Sequence, residues 1–190
     1  EAAPSLSLGV NVLRNDARAA LAVAAVSSAA MVRINVHAGA RLTDQGIVSG
    51  RAHETLRERR ALDLDHVELW CDVAVKHAAA LASRPLTEEA QELAGRALAD
   101  AILVTGTGTG ARPDVDDIAT VLEAVTCPVY IASGCTPGSI GKLMAIEADG
   151  RSPRGVIVGS TLRREGRAGA PLDPERCKRF SDAFHRAVRD

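Results

Sequence analysis

Short apolar runs of strand length alternate with helix-length segments along this 190-residue chain, and few folds accept that alternation. Strands are expected over 8–12, 31–36, 67–73, 101–104, 129–132 and 155–158, and helices over 16–28, 51–60, 87–98, 114–124, 139–146 and 174–188. Asn15 or Asp16 is placed to cap the first helix, and residues 38–49 read as a loop. Strands that alternate with helices pair in parallel through right-handed crossovers. Six such units can complete a doubly wound open sheet, or can supply most of a (β/α)8 barrel, which runs to about 250 residues. The last two units end on small residues, at Ser133-Gly134 and Gly159-Ser160. Consecutive turns of that kind are how the closing strands of a barrel present backbone N–H groups to a phosphate. The expectation is therefore an α/β chain of the (β/α)8 TIM-barrel, phosphate-binding type. Residues 1–190 form one partial barrel domain, supplying strands 3–8 of the barrel, with the first two strands outside this sequence.

Composition narrows the partners. Aromatic residues make up 2% of the chain, so Ala, Val, Leu and Ile must fill the core, and no platform for stacking single-stranded nucleic acid is available. A formal net charge of −1 gives no global attraction to nucleic acid or to an anionic membrane. Cys71, Cys127, Cys135 and Cys177 form no C-x-x-C pair and read as free thiols in a reducing, cytoplasmic setting. The Ala-rich run over 19–30 is too short to cross a membrane, so no transmembrane segment is expected. Neither a metal nor an organic cofactor is called for. A homo-oligomer is compatible with a barrel, and no interface is legible.

Strand residues alternate faces. Val32, Ile34 and Val36 share one face, and Arg33, Asn35 and His37 the other; Asn11 lies on the inner face of the first strand. In the third strand Leu69, Cys71 and Val73 face the helices, leaving Glu68, Trp70 and Asp72 inside, with Lys76 on the same parity further along. Arg33 and Glu68 lie early in adjacent strands and are expected to form a structural ion pair. Asn11, Asn35, His37, Asp72 and Lys76 lie late, at the C-terminal rim where barrel enzymes keep their chemistry. A lysine beside a carboxylate can serve as acid, base or amine nucleophile, or can simply neutralise it. His37 is a general acid or base candidate. Asp44, in a Gly-flanked loop, is placed to meet a sugar hydroxyl or a metal, and Asn11 and Asn35 to orient substrate. Thr105, Gly106, Ser133, Gly134, Gly159 and Ser160 are the candidate phosphate contacts. The loop from Gly106 to Gly110 lacks the Gly-Lys-Ser/Thr of a P-loop. Asp114, Asp116 and Asp117 open a helix and suit its dipole.

The stretches Leu8-Gly9-Val10-Asn11-Val12-Leu13-Arg14-Asn15-Asp16 and Arg33-Ile34-Asn35-Val36-His37-Ala38-Gly39-Ala40 resemble signatures of the BtpA/SgcQ family. So do Thr43-Asp44-Gln45-Gly46, Asp72-Val73-Ala74-Val75-Lys76-His77-Ala78, Ser133-Gly134-Cys135-Thr136-Pro137 and the closing Val158 to Gly166. The resemblance implies a phosphate-binding barrel. It points to an enzyme acting on a phosphosugar or nucleotide-like metabolite by lyase, isomerase or glycosyl-transfer chemistry. One branch of the family is associated with photosystem I biogenesis, which implies as the alternative a non-catalytic assembly or stability factor. Three departures stand out: the family's opening segment is absent, Ala74 stands where a histidine is frequent, and residues 146–154 are longer and more polar than usual.

Overall fold

The computed structural model describes residues 6–13, 15–44, 46–73, 79–82, 84–106 and 114–188. The chain divides into two compact units, Glu1–Ile102 and Leu103–Asp190. The first holds β1 (Gly9–Val10), α1 (Ala17–Ser27), β2 (Met31–Ile34), β3 (Ala40–Thr43), β4 (Gly46–Ser49), α2 (Ala52–Ala61), β5 (Glu68–Val73), β6 (Ala79–Ala80) and α3 (Leu86–Gln91). Strand β7 (Ala101–Thr105) carries the chain into the second, which holds α4 (Val115–Ala124), β8 (Val129–Ala132), α5 (Ile140–Met144), β9 (Gly155–Ile157) and α6 (Pro174–Ala187). The main sheet takes its strands in the order β1-β2-β5-β7-β8-β9. Pairing is parallel for β1 with β2, β2 with β5 and β8 with β9.

In the first unit Asp16 caps α1, its side chain accepting from Ala19 N at 2.9 Å. The helix then buries Ala20, Leu21 and Ala24. Small side chains let it lie close on β2, where Val32 and Ile34 are at most 2% exposed. Strand alternation thus holds through β2, with Val32 and Ile34 buried and Arg33 between them half-buried.

Two local expectations are corrected here. Residues 38–49 are not a plain loop: β3 and β4 form an antiparallel hairpin from Ala40↔Ser49 to Thr43↔Gly46, and β6 adds a third strand at Leu42↔Ala79. Gly39 and Gly46 adopt φ of 68° and 91°, which only glycine takes without strain, and they shape the neck and the tip of the hairpin. The single helix expected over 87–98 stops at Gln91 and continues as a π-helical turn over Glu92–Arg96, where Ala97 N reaches back five residues to Glu92 O.

In the second unit Asp114 caps α4, accepting from Asp116 N at 3.1 Å, so the acidic cluster there is a helix start. Asp173 caps α6 by accepting from Glu175 N and Arg176 N. The polar stretch before β9 folds into a tight turn, with Ala148 bridged to Arg151 and Asp149 paired to Arg151 at 2.7 Å. Among the described residues no helix is long and apolar enough to cross a membrane.

Candidate functional site

The first unit gathers a polar network where β2 and β5 end. Arg33 donates through Nε to Asp72 Oδ2 at 3.1 Å and through Nη2 to Oδ1 at 2.8 Å, a two-pronged fork. Asn35 Nδ2 donates to Asp72 Oδ2 at 2.6 Å, and Asn11 Nδ2 donates to Asn35 Oδ1 at 3.2 Å and to Arg33 O at 2.9 Å. The Asp72 side chain is 1% exposed and that of Arg33 24%. The structure thus brings together Asn11, Asn35 and Asp72. It does not pair Arg33 with Glu68. Register explains the correction: Glu68 lies level with Met31, and Trp70 with Arg33. Glu68 is exposed and accepts from Trp70 Nε1 at 2.7 Å, while Arg33 turns to the buried Asp72.

His37 is placed differently from the strand-parity expectation. The alternation of burial runs on through Val36, and His37 breaks it: the two are buried side by side, at 4% and 1% exposure. Asn15, at φ 74°, pairs with both the N–H and the C=O of Val36 and so holds the chain beyond the end of β2. The His37 ring sits in the interior, with Nε2 3.0 Å from Ala97 O. Burial is the main cause that lowers its pKa below 6.5; Arg59 adds to this, and the Ala97 carbonyl and Asp100 oppose it. A histidine kept neutral when folded but free to protonate when unfolded makes stability present above about pH 6.5 and lost as pH falls below it. Unfolding free energy measured between about pH 7 and 5 is expected to fall by up to about 1.4 kcal/mol per pH unit from this group, and His37→Gln to flatten that slope. An unchanged slope in the variant would show that the ring is not the group responsible.

Above the network lies a cavity of about 160 Å³, bordered by Asn35, Asp72, the hairpin and α3. Arg41 of β3 pairs with Glu89 of α3, and Arg84 pairs with Glu92. These four residues were not legible as a site, because Arg41 and Glu89 lie 48 positions apart and only the hairpin brings them together. The only sequence signal is Arg41 beside a glycine turn. Asp44 stands exposed at the hairpin's turn, outside that cavity's lining. Lys76 and His77 lie outside the described residues.

In the second unit the turns after β8 and β9 are tied to each other. Ser133 N donates to Ile157 O at 3.1 Å, and Thr161 Oγ1 donates to Cys135 O at 2.7 Å. Ser133 and Gly134 take φ of 82° and 70°, so both leave the strand in the left-handed region. Among the described residues the N–H groups of Gly134, Gly159 and Ser160 make no hydrogen bond. Thr105 and Gly106 are buried at the end of β7.

Parallel strands in chain order, each followed by a helix, place this chain among the (β/α)8-barrel proteins. The fold is similar to that of KGPDC from Streptococcus mutans, with a TM-score of 0.59 at 12% identity over 97% of this chain and 74% of that one. The carboxyl transferase domain from Rhizobium etli pyruvate carboxylase matches with a TM-score of 0.55 at 14% identity, over 98% of this chain and 35% of the other. The chain belongs to the BtpA family, whose sequence pattern matches residues 2–186. It is 40% identical to the photosystem I biogenesis protein BtpA of Synechocystis over 96% of its own length and 61% of that protein's. An uncharacterized protein of Thermococcus kodakarensis is 38% identical, with 93% of this chain and 64% of that protein matched. The chain therefore spans less than two thirds of these curated relatives.

Proposed function

We propose that this BtpA-family chain belongs to an enzyme that takes a small phosphorylated metabolite, a phosphosugar or a nucleotide-like compound. The phosphate rests on the turns after β8 and β9. The observation that carries this reading is the pair of tied turns whose Gly134, Gly159 and Ser160 N–H groups lack internal acceptors. Converging backbone N–H groups form a cradle for an anion. Gly159 also has open space where a Cβ would stand. Lyase, isomerase or glycosyl-transfer chemistry fits such a ligand. Lys76 is the acid or base of this reading. Asp72 holds Arg33 and Asn35 in place, Asn11 and Asn35 orient the ligand, and His37 supports from the interior.

A thermal-shift series with inorganic phosphate, phosphosugars and nucleotides tests the proposal. A phosphorylated compound at about 100 times its Kd raises stability by about 2.7 kcal/mol. Gly159→Asp, which sets a carboxylate into the open space of the turn, is expected to abolish that gain while leaving the unliganded transition in place. Stabilisation that survives Gly159→Asp would remove the turn from the proposal.

The name of the Synechocystis relative carries a second reading, an assembly or stability factor. It needs a surface, and the basic stretch of α2 is the surface candidate. Two of its arginines are already engaged: Arg59 with Asp100 at 2.8 Å, and Arg60 with Asp65. Charge reversal at Arg57 is therefore the cleaner probe of this reading.

A further inference from the structure

The structure assigns a second ligand site to the cavity between the hairpin and α3: a pocket for an uncharged, polyhydroxylated ring such as a sugar or cyclitol. This concerns residues of the first unit alone; it shares Asn35 and Asp72 with the proposed function and rests on that reading to that extent. Arg41 and Glu89 face each other with side chains only 13% exposed. In this half-buried pair Arg41 spends two of its five N–H donors among the described residues, on Glu89 and on Ala40 O at 3.4 Å, and the rest stay accessible. Glu89 Oε1 has no partner among the described residues. Unspent donors beside an unspent acceptor fit a hydroxyl, which both accepts and donates.

Charge excludes the simpler occupants. Asp72, Glu89 and Glu92 are each matched by an arginine, namely Arg33, Arg41 and Arg84. Among the described residues each of these carboxylates is thus already paired, and a phosphate or ammonium ion would enter against engaged groups. Val36 and Leu93 supply apolar wall for the C–H face of a ring. The volume of about 160 Å³ is close to that at which an engineered cavity accepts a six-carbon ring.

The test uses saturation-transfer NMR and calorimetry on the chain with D-ribose, D-glucose and myo-inositol, and with cyclohexanol and inorganic phosphate as controls. At least one polyol is expected to bind more tightly than cyclohexanol. Glu89→Gln, which keeps the shape of the side chain and removes its charge, is expected to weaken that polyol about tenfold. Ala82→Leu, at an exposed position on the cavity border, is expected to block the ring without disturbing either ion pair. Should Glu89→Gln lose its cooperative unfolding transition, Ala82→Leu decides alone. No polyol bound by the wild type, or a folded variant with unchanged affinity, overturns the assignment. Loss of phosphate binding in Gly159→Asp bears on the phosphate turn and leaves this site untouched.

Discussion

Asp72→Ala is expected to lower the unfolding free energy by about 3 kcal/mol, because it strands a guanidinium built to face a carboxylate. The Asp72 side chain is 1% exposed and receives both prongs of Arg33 together with Asn35 Nδ2. Breaking a fully buried pair by removing one partner costs about 3–5 kcal/mol. Arg33 retains 24% exposure, so water softens the loss toward the lower end of that range. Urea unfolding at neutral pH measures the change directly. The double variant Arg33→Met with Asp72→Leu is expected to be more stable than Asp72→Ala, since it removes the charge along with its partner. A loss under about 0.5 kcal/mol in Asp72→Ala would mean that the fork contributes no more than an exposed ion pair.

The fork also marks where sequence reasoning reaches its limit. Parity placed Arg33, Asn35 and Asp72 on one face correctly, because side-chain alternation is a property of the strand itself. It could not choose between Glu68 and Asp72 as partner, since both share that parity and only register separates their heights. His37 was misplaced for a related reason. Alternation applies only while the chain stays extended; it holds through Val36, whose backbone Asn15 grips from another segment, and fails at His37 just beyond. The strands and helices of the main sheet were legible, because runs such as Ala101 to Val104 are apolar on both faces and end abruptly. The turns after β8 and β9 were legible for the same reason: small residues follow buried strands at Ser133-Gly134 and Gly159-Ser160. The bond from Thr161 to Cys135 that ties them was not, since it spans 26 residues. The cavity and its two ion pairs were invisible for want of the hairpin. Leu42 and Ile47, directly opposite each other in it, are 49% and 63% exposed, and so give no amphipathic pattern to read.

That hairpin depends on one glycine, and Gly50→Ala is expected to destabilise it more than any other glycine change nearby. A Cβ at Gly50 would lie 2.5 Å from His37 O and 2.6 Å from both Cα and N of Ala38. Those are backbone atoms, so no rotamer change relieves the overlap. The neck must open, parting Gly50 N from Gly39 O, which are now 2.7 Å apart. Overpacking of this kind costs about 3 kcal/mol. The loss should concentrate locally, because Ala38, Gly39 and Ala40 border the cavity and Arg41 follows directly. Hydrogen exchange is therefore expected to speed up across 40–49, and polyol affinity to fall with it. Gly46→Ala supplies the contrast: φ is +91° there but nothing lies within 4 Å of its Cβ, so the change strains the backbone without a clash. A cost of about 1 kcal/mol is expected at Gly46, roughly a third of that at Gly50. Equal losses at the two positions would mean that steric closure of the neck is not what holds the cavity wall in place.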